Sequence, residues 1–301
     1  MKRIFTYLIV SLTIATTSCE DDSDILLGKG SSSSTNNPNS GVTTAKTCSL
    51  KEFTQTVNGN EDKFTYSYNS KGQIDKVNSV IGDFVAEYDK NNQISKLVST
   101  EDKRNYIEFV NDSKGNLTET KFILYDTETK KSFTFANKLT LNSSGQVEKY
   151  QYNLDFLIAI FAQIFGEPIV VANESIPLTF TYNNKNNLTS IYGMVDGKKE
   201  LLLENSEFDD KKNPFSGNQT IYRINVFFGL FTLLNGEVNN YNFFNKNNVT
   251  KAKVYDNDGK PVDVKYSYTY NPDTYPTVAS ISITDPTGEI KTKETYSYDC
   301  K

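Results

Sequence analysis

The chain has 301 residues, 37% of them hydrophobic and 23% charged, a formal net charge of −5, and neither histidine nor tryptophan. That length and composition suit one large or two small water-facing domains. The lack of histidine excludes Ser-His-Asp and Cys-His catalysis, His-ligated zinc and imidazole pH sensing, and the acidic balance leaves no basic footprint for nucleic acid.

In chain order, Lys2 and Arg3 precede an apolar run from Ile4 to Ala15, then the small residues Thr16, Thr17 and Ser18, then Cys19. A basic start, a short apolar core and a small-residue exit describe an export leader over residues 1–18. The run is too short to stay in a bilayer as a spanning helix. The approach to Cys19 resembles a bacterial lipobox, with Thr16 where leucine is usual, and the resemblance implies a lipid on the Cys19 thiol. Glu20, Asp21, Asp22 and Asp24 follow directly and resemble a signal for export to the outer face of the outer membrane. Residues 19–46 continue as an acidic and then Ser/Asn-rich tether with almost nothing to bury. The only expected contact with the membrane is through this anchor. The folded region is expected over residues 47–301.

That region repeats a short unit: an aromatic, Asn or Asp, two polar residues, Gly or Asn, one more residue, then an aliphatic. Tyr68, Asn69, Gly72 and Ile74 set the template, and Tyr88, Asp89, Asn92, Ile94 and Tyr182, Asn183, Asn186, Leu188 repeat it. Weaker copies sit at Asp112–Leu117, Asn142–Val147, Phe244–Val249 and Tyr255–Gly259, with Asn111 and Leu141 in place of the aromatic in the first two. Asn or Asp accepts backbone N–H groups two residues on, and Gly or Asn takes a positive φ that returns the chain, so each unit is a hairpin.

The strands before the turns alternate. Phe64, Tyr66, Tyr68 oppose Thr65, Ser67, and Tyr266, Tyr268, Tyr270 oppose Ser267, Thr269, so one face is aromatic and the other hydroxylated. The expected fold is all-β and mainly antiparallel, a meander of hairpins in a strongly curled or closed sheet. Two helices are expected within it, one over Leu154–Phe165 capped by Asn153 and one over Ile224–Leu234, each packed on the sheet as core.

If Cys19 carries lipid, Cys48 and Cys300 remain at the two ends of the folded region, and an even pair in an exported protein suggests a disulfide. Such a bridge would bring the first and last strands together.

The repeated hairpins, the FDDKKNPF segment at Phe208–Phe215, the NNV at Asn247–Val249 and the terminal YSYDC resemble an uncharacterised family of bacterial surface lipoproteins with RHS/YD-like repeats. The resemblance implies an antiparallel β-repeat fold and no particular activity.

Among possible sites, Asp256, Asn257, Asp258 and Gly259 resemble the start of a calcium loop but lack its distal glutamate, so a plain turn is expected and no metal or cofactor. Asp89, Asp112, Asp209 and Asp210 fall in turns, where exposure leaves carboxylates ordinary. A non-enzymatic envelope protein with a binding or structural role is expected, its ligand a glycan or a partner protein. Tyr66, Tyr68, Tyr182, Tyr266, Tyr268 and Tyr270 are the candidate stacking platforms, provided the helices leave their face open. The alternative is a secreted hydrolase that uses two carboxylates on glycans.

Overall fold

A computed structural model describes residues 48–300, apart from residues 58–59, 80, 128, 156–158, 160–174, 196, 235–241, 256–258 and 286–287. The leader, Cys19 and the tether lie outside the described residues. The strands are β1 (Cys48–Val57), β2 (Asn60–Tyr68), β3 (Ile74–Ser79), β4 (Gly82–Tyr88), β5 (Ile94–Ser99), β6 (Tyr106–Asn111), β7 (Leu117–Asp126) and β8 (Lys131–Leu141). They continue with β9 (Val147–Asn153), β10 (Ser175–Tyr182), β11 (Leu188–Val195), β12 (Lys198–Phe208), β13 (Val249–Tyr255), β14 (Pro261–Tyr270), β15 (Pro276–Asp285) and β16 (Gly288–Cys300). Each pairs antiparallel with its sequence neighbours, and β1 pairs with both β2 and β16, so the meander closes as a barrel. At the closing seam Cys48 and Cys300 are joined by a disulfide.

The repeated turns all lie at one end of the barrel, because in an up-and-down meander every second connection returns there. Their geometry is the expected one. Asn69 Oδ1 accepts the amides of Lys71 and Gln73, and Asp89, Asp112, Asn142 and Asn183 each accept the corresponding pair. Gly72, Asn92, Gly115, Gly145 and Asn186 take the positive φ, between 58° and 82°. The register slips by one residue just before each turn, as at Ser67/Tyr68 and Glu87/Tyr88.

Two copies differ from the sequence reading. Phe244–Val249 is not a turn of its own. Phe208 and Asp209 supply its first half and Asn248 and Val249 its second: Asp209 N–H donates to Asn248 O, while Asp209 Oδ1 accepts the amides of Lys211 and Asn248. Residues 210–247 are therefore inserted into a turn whose hydrogen bonds remain made. Tyr255 and Gly259 flank a connection at the opposite end, with residues 256–258 outside the described residues. A copy that spacing alone did not reveal runs from Tyr270 to Pro276, where Thr274 holds the positive φ, 69°, in place of Gly or Asn.

The described parts of the inserted segment pack inside the barrel. Helix α1 (Gln219–Leu234) starts five residues before the expected helix, because Asn218 Oδ1 accepts the amides of Thr220 and Ile221 and sets the N-terminus there. Its residues Ile221, Arg223, Ile224, Asn225, Val226, Phe227 and Phe228 are buried, so over Ile221–Phe228 the helix is covered all round and not on one face. Phe228 meets Phe64 of β2 and Phe84 of β4 edge-on, and Phe227 lies against Phe122 of β7. Phe243 and Phe244, in a short 3-10 turn at Asn242–Phe244, reach Phe215 and Phe180. Full burial of side chains of this size stabilises the fold by roughly 1.5–3 kcal/mol each. The first expected helix falls largely outside the described residues; within them, Asn153 Oδ1 accepts the amide of Asp155 as the expected cap would.

The period of two assigns the opposite faces. Inward positions carry mainly Phe, Tyr, Leu, Ile and Val, with Val77, Ile94, Leu97, Ile107, Val147 and Ile191 at 0% exposure, and Gln55, Thr120, Asn137 and Glu294 buried among them. Outward positions carry mainly Lys, Glu, Ser and Thr, with Tyr106, Tyr125 and Tyr192 lying under Lys96, Arg104 and Lys199. Lys63 pairs with Glu52 at 2.8 Å and Lys121 with Glu108 at 3.4 Å across neighbouring strands, and Thr181 and Thr189 share a hydrogen bond of 3.1 Å. The exposed large apolar side chains among the described residues are Val85, Met194 and Ile290, on three separate strands.

Candidate functional site

The turn end of the barrel is where the repeat leaves room. Within a hairpin the ladder runs to the turn, as β2 and β3 pair as far as Tyr68 and Ile74. Between hairpins it stops short: β1 and β2 pair no further than Glu52 and Thr65, β3 and β4 than Lys76 and Val85, and β9 and β10 than Lys149 and Thr179. The bulge before each turn bends the hairpin, so neighbouring hairpins diverge there.

The tyrosines close these seams. Tyr68 Oη donates to Leu50 O at 2.6 Å, Tyr88 to Ile74 O at 2.8 Å, Tyr182 to Val147 O at 2.8 Å, Tyr268 to Val249 O at 2.8 Å and Tyr298 to Pro276 O at 2.7 Å. Each phenol satisfies a carbonyl of the preceding hairpin where the ladder has ended. At the β11/β12 seam, where Phe208 lacks a phenol, Asn205 Nδ2 donates to Leu188 O at 3.0 Å instead. Asn111 occupies the aromatic position in β6, and Arg223 of α1 docks on it, with Nη1 to Asn111 Oδ1 and Nη2 to Gly115 O, both at 2.8 Å.

Leu141 is the remaining aliphatic substitute, and it carries nothing that can bridge. A cavity of about 630 Å³ opens beside it between the turns at Asp112–Asn116 and Asn142–Gln146. Its floor includes Leu117 and Leu139, 3% and 5% exposed, and its rim carries Asn116, Thr118, Thr140, Asn142 and Ser144.

The six candidate platform tyrosines all face the lumen. Tyr66 and Tyr266 are 2% and 5% exposed, and along β14 Tyr268 stacks on Tyr266 and meets Tyr270 at a tilt. Tyr68, Tyr182 and Tyr268 spend their hydroxyls on the seams, and Tyr270 donates to Asp209 Oδ2 in the split turn. Burial raises the pKa of Tyr66, Tyr68, Tyr182 and Tyr270, which keeps these phenols protonated. An open aromatic face is thus not what this placement gives: closing the sheet turned the tyrosine-bearing side inward, where α1 and the seams use it.

A buried acid escaped the sequence reading. Glu294 of β16 is 2% exposed and faces inward beside Gln55 of β1, which also pairs with Asp62 of β2. Burial pushes the Glu294 carboxyl up from 4.5 to about 7, partly offset by the hydrogen bond that Tyr296 donates to it. Burial raises Asp62 as well. The signal was available, since Thr292, Glu294, Tyr296 and Tyr298 share one strand face. Elsewhere, Asp273 lies within 4.8 Å of the Cys48 and Cys300 sulphurs, which are bonded to each other and offer no thiolate to an ion.

The architecture matches known structures. A porin-like protein from Bacteroides uniformis aligns with a TM-score of 0.52 at 13% sequence identity, over 85% of this chain and 97% of that one. The chain has a porin-like β-barrel fold. A porin-like protein from Bacteroides vulgatus aligns with a TM-score of 0.49 at 12% identity, over 84% of this chain and 99% of that one. The TcdB2-TccC3-Cdc42 complex aligns with a TM-score of 0.31 at 13% identity, over 84% of this chain and 13% of that one. No protein-family model and no curated protein matches the sequence. In the porin-like barrel described here the usual membrane pattern is reversed. A spanning barrel needs an outward apolar band about 25 Å tall and a polar lumen, whereas here the outer wall is mainly ionic and hydroxylated, with exposed large apolar side chains only singly among the described residues, and the lumen holds mainly aromatic and aliphatic side chains and a helix.

Proposed function

We propose that the protein is a lipid-anchored component of the outer membrane, displayed at the cell surface, whose barrel stands in water and acts by binding, not by conducting solutes or by catalysis. The ligand is a glycan or a partner protein. The observation that carries this reading is the inverted wall: Lys, Glu, Ser and Thr outside, and Phe227 and Phe228 of α1 packed among inward rings. Sixteen-strand porins keep an aqueous channel; a lumen packed in this way offers no wide water path. A wall of ion pairs gains nothing from lipid, so attachment is assigned to an acyl chain on Cys19 together with the tether.

Two measurements test this. Cys19→Ala is expected to abolish incorporation of labelled fatty acid and to move the protein from the membrane fraction to the soluble one. The purified full chain added to planar bilayers is expected to give no stepwise conductance; porin-sized steps would overturn the reading.

A further inference from the structure

We infer that the cleft between β7 and β8 is the ligand site of the binding role proposed above, on which this assignment rests, and that it takes a neutral oligosaccharide. The ladder between these strands ends at Glu119 and Lys138, so Leu117–Thr118 and Leu139–Leu141 separate toward the turn end. Six comparable seams are closed by Tyr68, Tyr88, Tyr182, Tyr268, Tyr298 or Asn205, while at the β5/β6 seam, whose ladder ends at Lys96 and Glu108, Asn111 is held by Arg223 together with Gly115 of its own hairpin. Between β7 and β8 Leu141 stands in the bridging position and the gap stays open, with a volume of about 630 Å³ that falls within the range of small-molecule sites.

The lining chooses the ligand class. Asp112 is its one charged residue, and its carboxylate already accepts the amides of Lys114 and Asn116 and the side chain of Asn116. With no Lys or Arg in the lining, an anionic group would find no counter-charge, and an occupied, exposed carboxylate gives a cation little. The hydroxyls of Thr140, Ser143 and Ser144 have no protein partner among the described residues and can both donate and accept. Beneath them Leu117 and Leu139 offer an apolar floor. Hydroxyls above and aliphatic carbon below suit a sugar, which presents hydroxyls at its edge and C–H groups on its face. An extended peptide fits less well. Strand addition needs a run of unpaired backbone, and the diverging segments span only two residues of β7 and three of β8.

The test uses the full chain, purified in detergent, on an array of neutral linear oligosaccharides that includes maltotriose, cellotriose, xylotriose and mannotriose, with hits titrated by calorimetry. Leu141→Tyr restores the seam phenol, and Thr140→Trp crowds the rim from the exposed outer wall. Both variants are expected to weaken binding of the array hit by at least about tenfold while the melting temperature holds or, for Leu141→Tyr, rises. Undiminished binding by both folded variants would overturn the cleft assignment and leave the binding role standing. A blank array with capture of a partner protein would overturn the sugar assignment alone. A blank array with no partner captured would overturn both.

Discussion

At the scale of single residues, two side-chain types carry the design. Asn or Asp at the head of each turn gathers two amides, and Tyr before it reaches across a seam for a carbonyl the ladder has abandoned. Such a bridge contributes about 1 kcal/mol, and the same device recurs around the barrel. The turn chemistry was legible in the sequence because it is local, whereas the seam bonds join residues as far apart as Val147 and Tyr182. Thr274 shows the limit of the local reading: a β-branched residue at φ 69° is disfavoured in a free chain, and its hairpin imposes it. Glu294 is where burial has the clearest consequence. Its folded pKa is raised to about 7 from 4.5, so the native state holds a proton that the unfolded chain releases between those values. Stability from this group is present at pH 4.5 and below and is lost as pH rises to about 7, and the neighbouring Asp62 shifts in the same direction. Glu294→Gln keeps the shape without the charge. It is expected to flatten that slope and to be more stable than the parent at pH 8, by up to about 3 kcal/mol, as read from urea unfolding at a series of pH values.

Among elements, α1 is the decisive one. Its apolar spacing announced a helix, and its lack of a polar face announced burial, but the sequence suggested a helix laid on a sheet. The structure threads it into the lumen through the turn between β12 and β13, with Asp209 and Asn248 holding the turn shut behind it. At the irregular copies of the repeat the insert makes polar contacts: Asn111 receives Arg223, and Tyr222 Oη accepts from Val147 N–H just after the Leu141 turn. Truncating the ring that meets both Phe64 and Phe84, in Phe228→Ala, is expected to cost about 3–5 kcal/mol. The measurement is denaturant unfolding together with binding of a hydrophobic dye, which should rise if the lumen opens to water.

For the whole molecule, closure decides what the surfaces mean. The same alternation could wrap with its tyrosines inside or outside, and only the curl of sixteen paired strands, tied at Cys48 and Cys300 across 252 residues of sequence, sets them inside. Removing the tie in a Cys48→Ser, Cys300→Ser double variant is expected to lower stability by up to about 5 kcal/mol in the chain-entropy view, less where the β1/β16 ladder already holds the ends. Thermal melts with and without reductant would check this, the variant showing no response to reductant. What the sequence determined by itself was most of what is set within a few residues: the strands, most of the turns, the alternation of hydroxylated and aromatic faces, and the lack of histidine that excluded imidazole chemistry. Only the tertiary structure decided that the aromatic face lines a lumen, that the helix Gln219–Leu234 occupies it, and that the seam beside Leu141 stays open, because each depends on which distant strands become neighbours when the sheet closes, and no local spacing encodes that.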